Sequence, residues 1–145
     1  VTAAALAAVI STMNAKLPQN PKDRFGVQKV SLSKVPAVAI AHEAHAMMDG
    51  AGKYGPYNWR EKAVIASIYI DACKRHLDAW FDAREECAPD SEVHHLGHAR
   101  ACLGIILDAE ATGNLIDDRP KAGMITAVYT KIAAAIMRRN KERAK

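Results

Sequence analysis

The chain has 145 residues, enough for one domain with a real core. Half of it is hydrophobic and a quarter is charged, the proportions of a soluble globular protein. A net charge of +4 is too weak, spread over a domain, to argue for nucleic acid, although it favours an anionic small ligand. The three cysteines, Cys73, Cys87 and Cys102, are odd in number and lack CxxC spacing. That argues against a disulfide framework or zinc ribbon and for a reducing, cytoplasmic compartment.

Alanine is abundant and β-branched runs are sparse, so the predicted class is all-α: a compact bundle of about five helices with antiparallel central helices. The first helix is expected over about Thr2 to Lys16. It lacks the positive n-region of a signal peptide, and Ser11, Thr12 and Asn14 interrupt its apolar run. A Pro-rich linker spans residues 18–32. Ser33 offers an N-cap and Pro36 a first-turn residue for the second helix, which Asp49-Gly50-Ala51-Gly52 is expected to end near Met48. An aromatic loop, Lys53 to Trp59, follows.

The third helix is predicted over about Arg60 to Asp82. Its apolar stripe is Ile65, Ile68, Tyr69, Ala72, His76 and Trp80, and its polar face carries Asp71–Arg75 and Lys74–Asp78 pairs. The fourth runs from about Glu92 to Thr112 and presents Gly97, Ala101 and Gly104, small enough for another helix to approach. The fifth runs from about Lys121 to Lys141, with Ile125, Val128, Ile132 and Ile136 inward and a basic tail, Arg138 to Lys145. One domain is expected over 1–145, its core over 33–120 and its C-terminal helix and tail over 121–145. Five modest helices leave apolar surface to cover, which points to a homo-oligomer, a dimer or higher. No stretch reaches the roughly 20 apolar residues of a membrane span.

Several side chains could carry chemistry. Glu43 lies on the apolar side of its helix, where a carboxylate needs a cation or a hydrogen-bond donor. His76 sits on an apolar stripe and wants a partner. His94 and His98, four apart, could share a metal ion, but no Glu follows the first histidine as in a zincin. Glu85, Glu86, Asp90 and Glu92 place acids just before these histidines, and such oxygens favour magnesium or manganese over zinc. In the aromatic loop, Trp59 and Tyr57 could stack on a base and Asn58 could read its edge. Lys53 and Arg60 could pair with phosphates.

KYGPYNWRE (Lys53 to Glu61), RHL (Arg75 to Leu77), Asp90-Ser91, HHLGHARA (His94 to Ala101), LDA (Leu107 to Ala109) and IDDRP (Ile116 to Pro120) occur in that order. Together they resemble the dATP/dGTP diphosphohydrolase N-terminal domain family of phages and bacteria. The resemblance implies hydrolysis of a purine deoxynucleoside triphosphate to the monophosphate and pyrophosphate, as in MazG-type all-helical pyrophosphohydrolases. Those hold magnesium or manganese on an ExxE…ExxD pattern. This chain departs from it, with Ala46 three residues after Glu43 and Lys74 three after Asp71. It also has Ala83-Arg84 and Ser91-Glu92 where the family usually has Gly-Glu and Ser-Gly.

The resulting expectation assigns Glu43, His76 and Asp90 to catalysis and Glu43, Glu86, Asp90 and His98 to metal. Lys53, Arg60 and Arg75 would hold phosphates, and Tyr57, Asn58 and Trp59 the purine. The alternative is a non-enzymatic helical phage interaction or nucleotide-binding protein. A membrane is not expected as a partner, and nucleic acid is disfavoured.

Overall fold

The computed structural model describes residues 2–14 and 20–145. The chain divides into two units, residues 1–37 and 38–145. The first unit holds α1 (Ala3–Asn14), α2 (Pro21–Gly26) and a 3-10 turn at Leu32–Lys34. The expected end of the first helix near Lys16 lies outside the described residues. The predicted linker contains α2, because Asn20 accepts from Lys22 N at 3.0 Å and Pro21 opens the helix.

The second unit is built from α3 (Ala37–Tyr54, its first residue in the other unit), α4 (Asn58–Glu61), α5 (Ala66–Phe81), α6 (His95–Thr112) and α7 (Ile125–Arg143). Two short strands, β1 (Val64–Ile65) and β2 (Leu115–Ile116), pair in parallel with Val64 opposite Leu115. The class is all-α, with seven α-helices rather than five among the described residues. No helix among them is long and apolar enough to cross a membrane.

Two helix boundaries differ from expectation in ways that shape the site. Gly50 and Gly52 do not stop α3, which continues to Tyr54 and ends at Gly55, φ +92°. Glycine inside a helix costs about 1 kcal/mol relative to alanine, and here the helix runs through both. Lys53 therefore sits one turn after Asp49 on the same helix. The predicted third helix is broken into α4, β1 and α5, because Lys62 leaves the helical region at φ −122°, ψ 151°. Asp118 caps the restart: Ser67 N donates to its Oδ1 at 2.9 Å, and the Ser67 hydroxyl to its Oδ2. The Asp71–Arg75 and Lys74–Asp78 ion pairs do not form among the described residues, although that face of α5 is exposed as expected.

The core is small-residue packing. Ala46, Ala66, Cys73, Ala88, Ala99, Ala101 and Ala109 are buried with Val64, Val93 and the imidazole of His95. α5 and α6 form the principal helix pair. The small residues of α6 admit α3. A Cβ on Gly97 would stand 2.5 Å from the His42 carbonyl oxygen, and one on Gly104 would stand 2.7 Å from Glu43 Oε1. By contrast, the apolar face of α7 does not turn inward. Ile125, Val128, Ile132 and Ile136 are 44–58 % exposed, and α7 has no buried residue.

Candidate functional site

A cleft of about 430 Å³ opens between α3, α5 and α6, with α4 at one rim. Its walls are largely apolar: Met47 and Tyr54 from α3, Trp59 from α4, Ile68, Tyr69 and Ala72 from α5, and Ala101 and Ile105 from α6. Four residues of the stripe expected on the third helix, Ile68, Tyr69, Ala72 and His76, thus line a cleft, while Ile65 falls in β1 and Trp80 lines a separate hollow. Polar groups converge on it from three directions: Asp49 and Lys53 from α3, His76 from α5, and Asp90 and His98 from the 82–94 loop and α6. A concave apolar site with a few convergent polar groups is the usual form of a small-ligand site.

The Lys53 ammonium lies 2.8 Å from Asp49 Oδ2 and 3.5 Å from Asp90 Oδ2. The Asp49 hydrogen bond, and then both carboxylate charges, raise the Lys53 pKa. Asp90 is held below the usual carboxylate range by its own backbone N–H and, beyond that, by Lys53. Two carboxylates therefore flank one ammonium at the cleft.

The histidines form a second cluster. His76 Nδ1 meets His95 Nδ1 at 2.9 Å, and the His76 ring stacks on His98 at 4.5 Å and 13°. His98 Nε2 is 3.0 Å from the Ser91 hydroxyl. Burial first, then His98, His95 and Arg75, drives the His76 pKa down to about 4 against the opposing pull of Asp90. Burial also lowers His98. Both rings are neutral near pH 7, so they act as hydrogen-bonding groups or bases rather than cations. His94 is committed elsewhere: its Nδ1 accepts from Leu96 N at 3.1 Å and caps α6.

The rim is rigid. Trp59 Nε1 donates to Asp108 Oδ2 at 2.7 Å, and the Arg60 fork closes on the same carboxylate at 2.8 Å twice. Asn114 donates to the Trp59 carbonyl at 3.1 Å. The indole plane is fixed before any ligand arrives.

The structure brings Lys53, Asn58, Trp59, His76, Asp90 and His98 together in the cleft. Tyr57 is exposed, its ring 5.6 Å from Trp59, and Arg60 is engaged by Asp108. Arg75 is exposed and does not line the cleft, and Glu86 lines a separate hollow with Glu85. Glu43 finds the donor its position demanded in Arg100, whose Nε and Nη2 lie 3.1 and 2.8 Å from Oε2. Sequence reasoning missed Arg100, Asp108 and the pairing of Asp49 with Lys53. Only the last had a local signal, the i,i+4 spacing of opposite charges.

The model of the family described as dATP/dGTP diphosphohydrolase, N-terminal, matches residues 19–119. The chain belongs to this family. No curated protein and no solved structure matches it. The matched span ends before α7 and contains every residue of the cleft.

The family name implies phosphohydrolase chemistry, which in MazG-type enzymes uses a divalent metal. Among the described residues, no group of three or more His, Cys, Asp and Glu converges on one point. Asp49 and Asp90 do converge on the Lys53 ammonium. Magnesium commonly takes one or two carboxylates and completes its shell with water and substrate phosphates; here the Lys53 ammonium holds the place between the two carboxylates, and a divalent ion would have to displace it.

Proposed function

We propose that the chain hydrolyses a purine deoxynucleoside triphosphate, dATP or dGTP, to the monophosphate and pyrophosphate with magnesium or manganese in the cleft between α3, α5 and α6. The observation that carries this reading is the Lys53 ammonium between two carboxylates in an aromatic-walled cleft that also holds a neutral His76. Asp49 and Asp90 would hold the metal, which when bound neutralises phosphate charge and makes a water more acidic. Lys53 pairs with the phosphates. Trp59 offers the base a face fixed by Asp108, and Asn58, beside it in the cleft, a base-edge contact. His76 takes the proton of the attacking water.

The test is pyrophosphate release from dATP and dGTP with manganese or magnesium present. The expected result is metal-dependent turnover, reduced at least a hundredfold in Asp90→Asn and in His76→Gln. Purified chain that binds dGTP with manganese but releases no pyrophosphate would support a nucleotide-binding protein without chemistry instead. The exposed apolar face of α7 supports a second part of the proposal, that the chain works as a homo-oligomer, and the reduced cysteines suit a cytoplasmic setting.

A further inference from the structure

We infer that Glu85, His95 and His76 form a proton relay ending at His76 Nε2 in the cleft, with His95 and Glu85 as positioning residues for the base. The inference deepens the phosphohydrolase reading and rests on it.

His95 is 5 % exposed, and its Nδ1 faces His76 Nδ1 at 2.9 Å. Between two like nitrogens, only one can carry the hydrogen. The other nitrogen of His95, Nε2, is buried without a hydrogen-bond partner among the described residues. Glu85 Oε2 stands 3.4 Å from it. An ionised carboxylate can only accept, so it favours the tautomer with the proton on His95 Nε2. Neutral His95 must then accept at Nδ1, and His76 must donate from Nδ1. The lone pair of His76 is left on Nε2, which has no partner among the described residues. Stacking on His98, itself tied to Ser91, fixes the ring in that orientation.

The relay accounts for how a weak base can serve. Alone, His76 would have to keep a positive charge in a half-buried place faced by His95, His98 and Arg75, with Asp90 the opposing charge. In the relay it does not keep it. A water oxygen bonds to the α-phosphorus as the bond to the pyrophosphate oxygen breaks. The water proton passes to His76 Nε2, and the Nδ1 proton passes to His95 Nδ1. The charge ends on His95, beside the Glu85 carboxylate. Glu85 is 55 % exposed and lines a separate hollow of about 350 Å³ with Glu86 and Trp80, which gives the proton a route to solvent.

Two readouts on the full chain test this. The first is the ¹⁵N imidazole spectrum near pH 7.5. The expected result is His76 protonated at Nδ1 and His95 at Nε2, with His76 moving toward the Nε2-protonated form in Glu85→Gln. His76 found Nε2-protonated in the unaltered chain, or a pattern unchanged by Glu85→Gln, overturns the relay. This readout needs no turnover, so it separates failure of the relay from failure of the phosphohydrolase reading. The second is the pH profile of pyrophosphate release. Glu85→Gln should lower kcat on the order of tenfold with KM unchanged and move the acid limb to lower pH, because the anion that stabilises the protonated relay is gone. An unmoved acid limb, or a loss confined to KM, overturns the positioning role. Glu85 is solvent-exposed, so this variant keeps the fold; His95→Gln, expected to behave alike, is the buried counterpart.

Discussion

Helices α6 and α7 are nearly equal in length, 18 and 19 residues, yet they meet opposite fates. α6 buries His95, Gly97, Ala99, Ala101 and Ala109, while α7 buries nothing. The difference lies in residue size. Glycine and alanine let the backbones of α3 and α6 come within contact, so the α6 face is covered inside the chain and carries the cleft. The isoleucines of α7 present more apolar surface, and it stays exposed. In this protein the cleft is built where the side chains are smallest, and the large apolar side chains of α7 stay exposed.

The comparison can be broken most severely at Gly97. Gly97→Ala places a methyl 2.5 Å from a backbone oxygen, so α3 and α6 must part. A loss of about 2–3 kcal/mol in urea unfolding is expected, with loss of the cleft's ligand binding. Glu43→Ala leaves Arg100 without its partner in a part-exposed pair and should cost about 1 kcal/mol by the same measurement. On α7, Ile132→Asp should change the chain's own unfolding free energy by less than about 0.5 kcal/mol while abolishing self-association in sedimentation. A small gain in stability is expected at Glu92, which holds φ +57°. There Glu92→Gly should relieve left-handed strain and stabilise by about 0.5 kcal/mol after the entropic loss of glycine.

A pH dependence sharpens the same contrast, because the half-buried His76 lies against the buried His95 where α5 meets α6. The folded His76 pKa, about 4, lies below the ordinary value of 6.5. The unfolded chain therefore binds more protons between these values, and stability rises with pH across that window. The contribution is complete above about 6.5 and is lost as pH falls toward about 4. Comparing urea midpoints of the unaltered chain and His76→Gln over pH 4.5–7.5 should show a steeper rise in the former; parallel curves would contradict it.

Much of the fold could be read from sequence, because helix periodicity, the small-residue face of α6 and the end of the fourth helix near Thr112 are local signals. Gly113 does end α6, with φ +77°. Gly50 and Gly52 misled, because glycine's breaking tendency is a weak local preference and α3 runs through it. That error moved Lys53 off the helix and hid its pairing with Asp49. Trp59, Asn58, His76, Asp90 and His98 could be read as site candidates from residue type and neighbourhood. Arg100 on Glu43, Asp108 on Trp59 and Arg60, and His95 on His76 could not, because each joins residues 19 to 57 positions apart. The positive φ at Glu92 falls where the family usually has glycine, so the departure noted in sequence is a strained position in the fold.

The most direct measurement of the central claim is pyrophosphate release from dGTP and dATP by the purified chain, with and without manganese, alongside Lys53→Met and Asp90→Asn. Metal-dependent release, strongly reduced in Asp90→Asn and with a raised KM in Lys53→Met, is the predicted result. Release that is absent, or that persists unchanged in both variants, would contradict the assignment of this cleft.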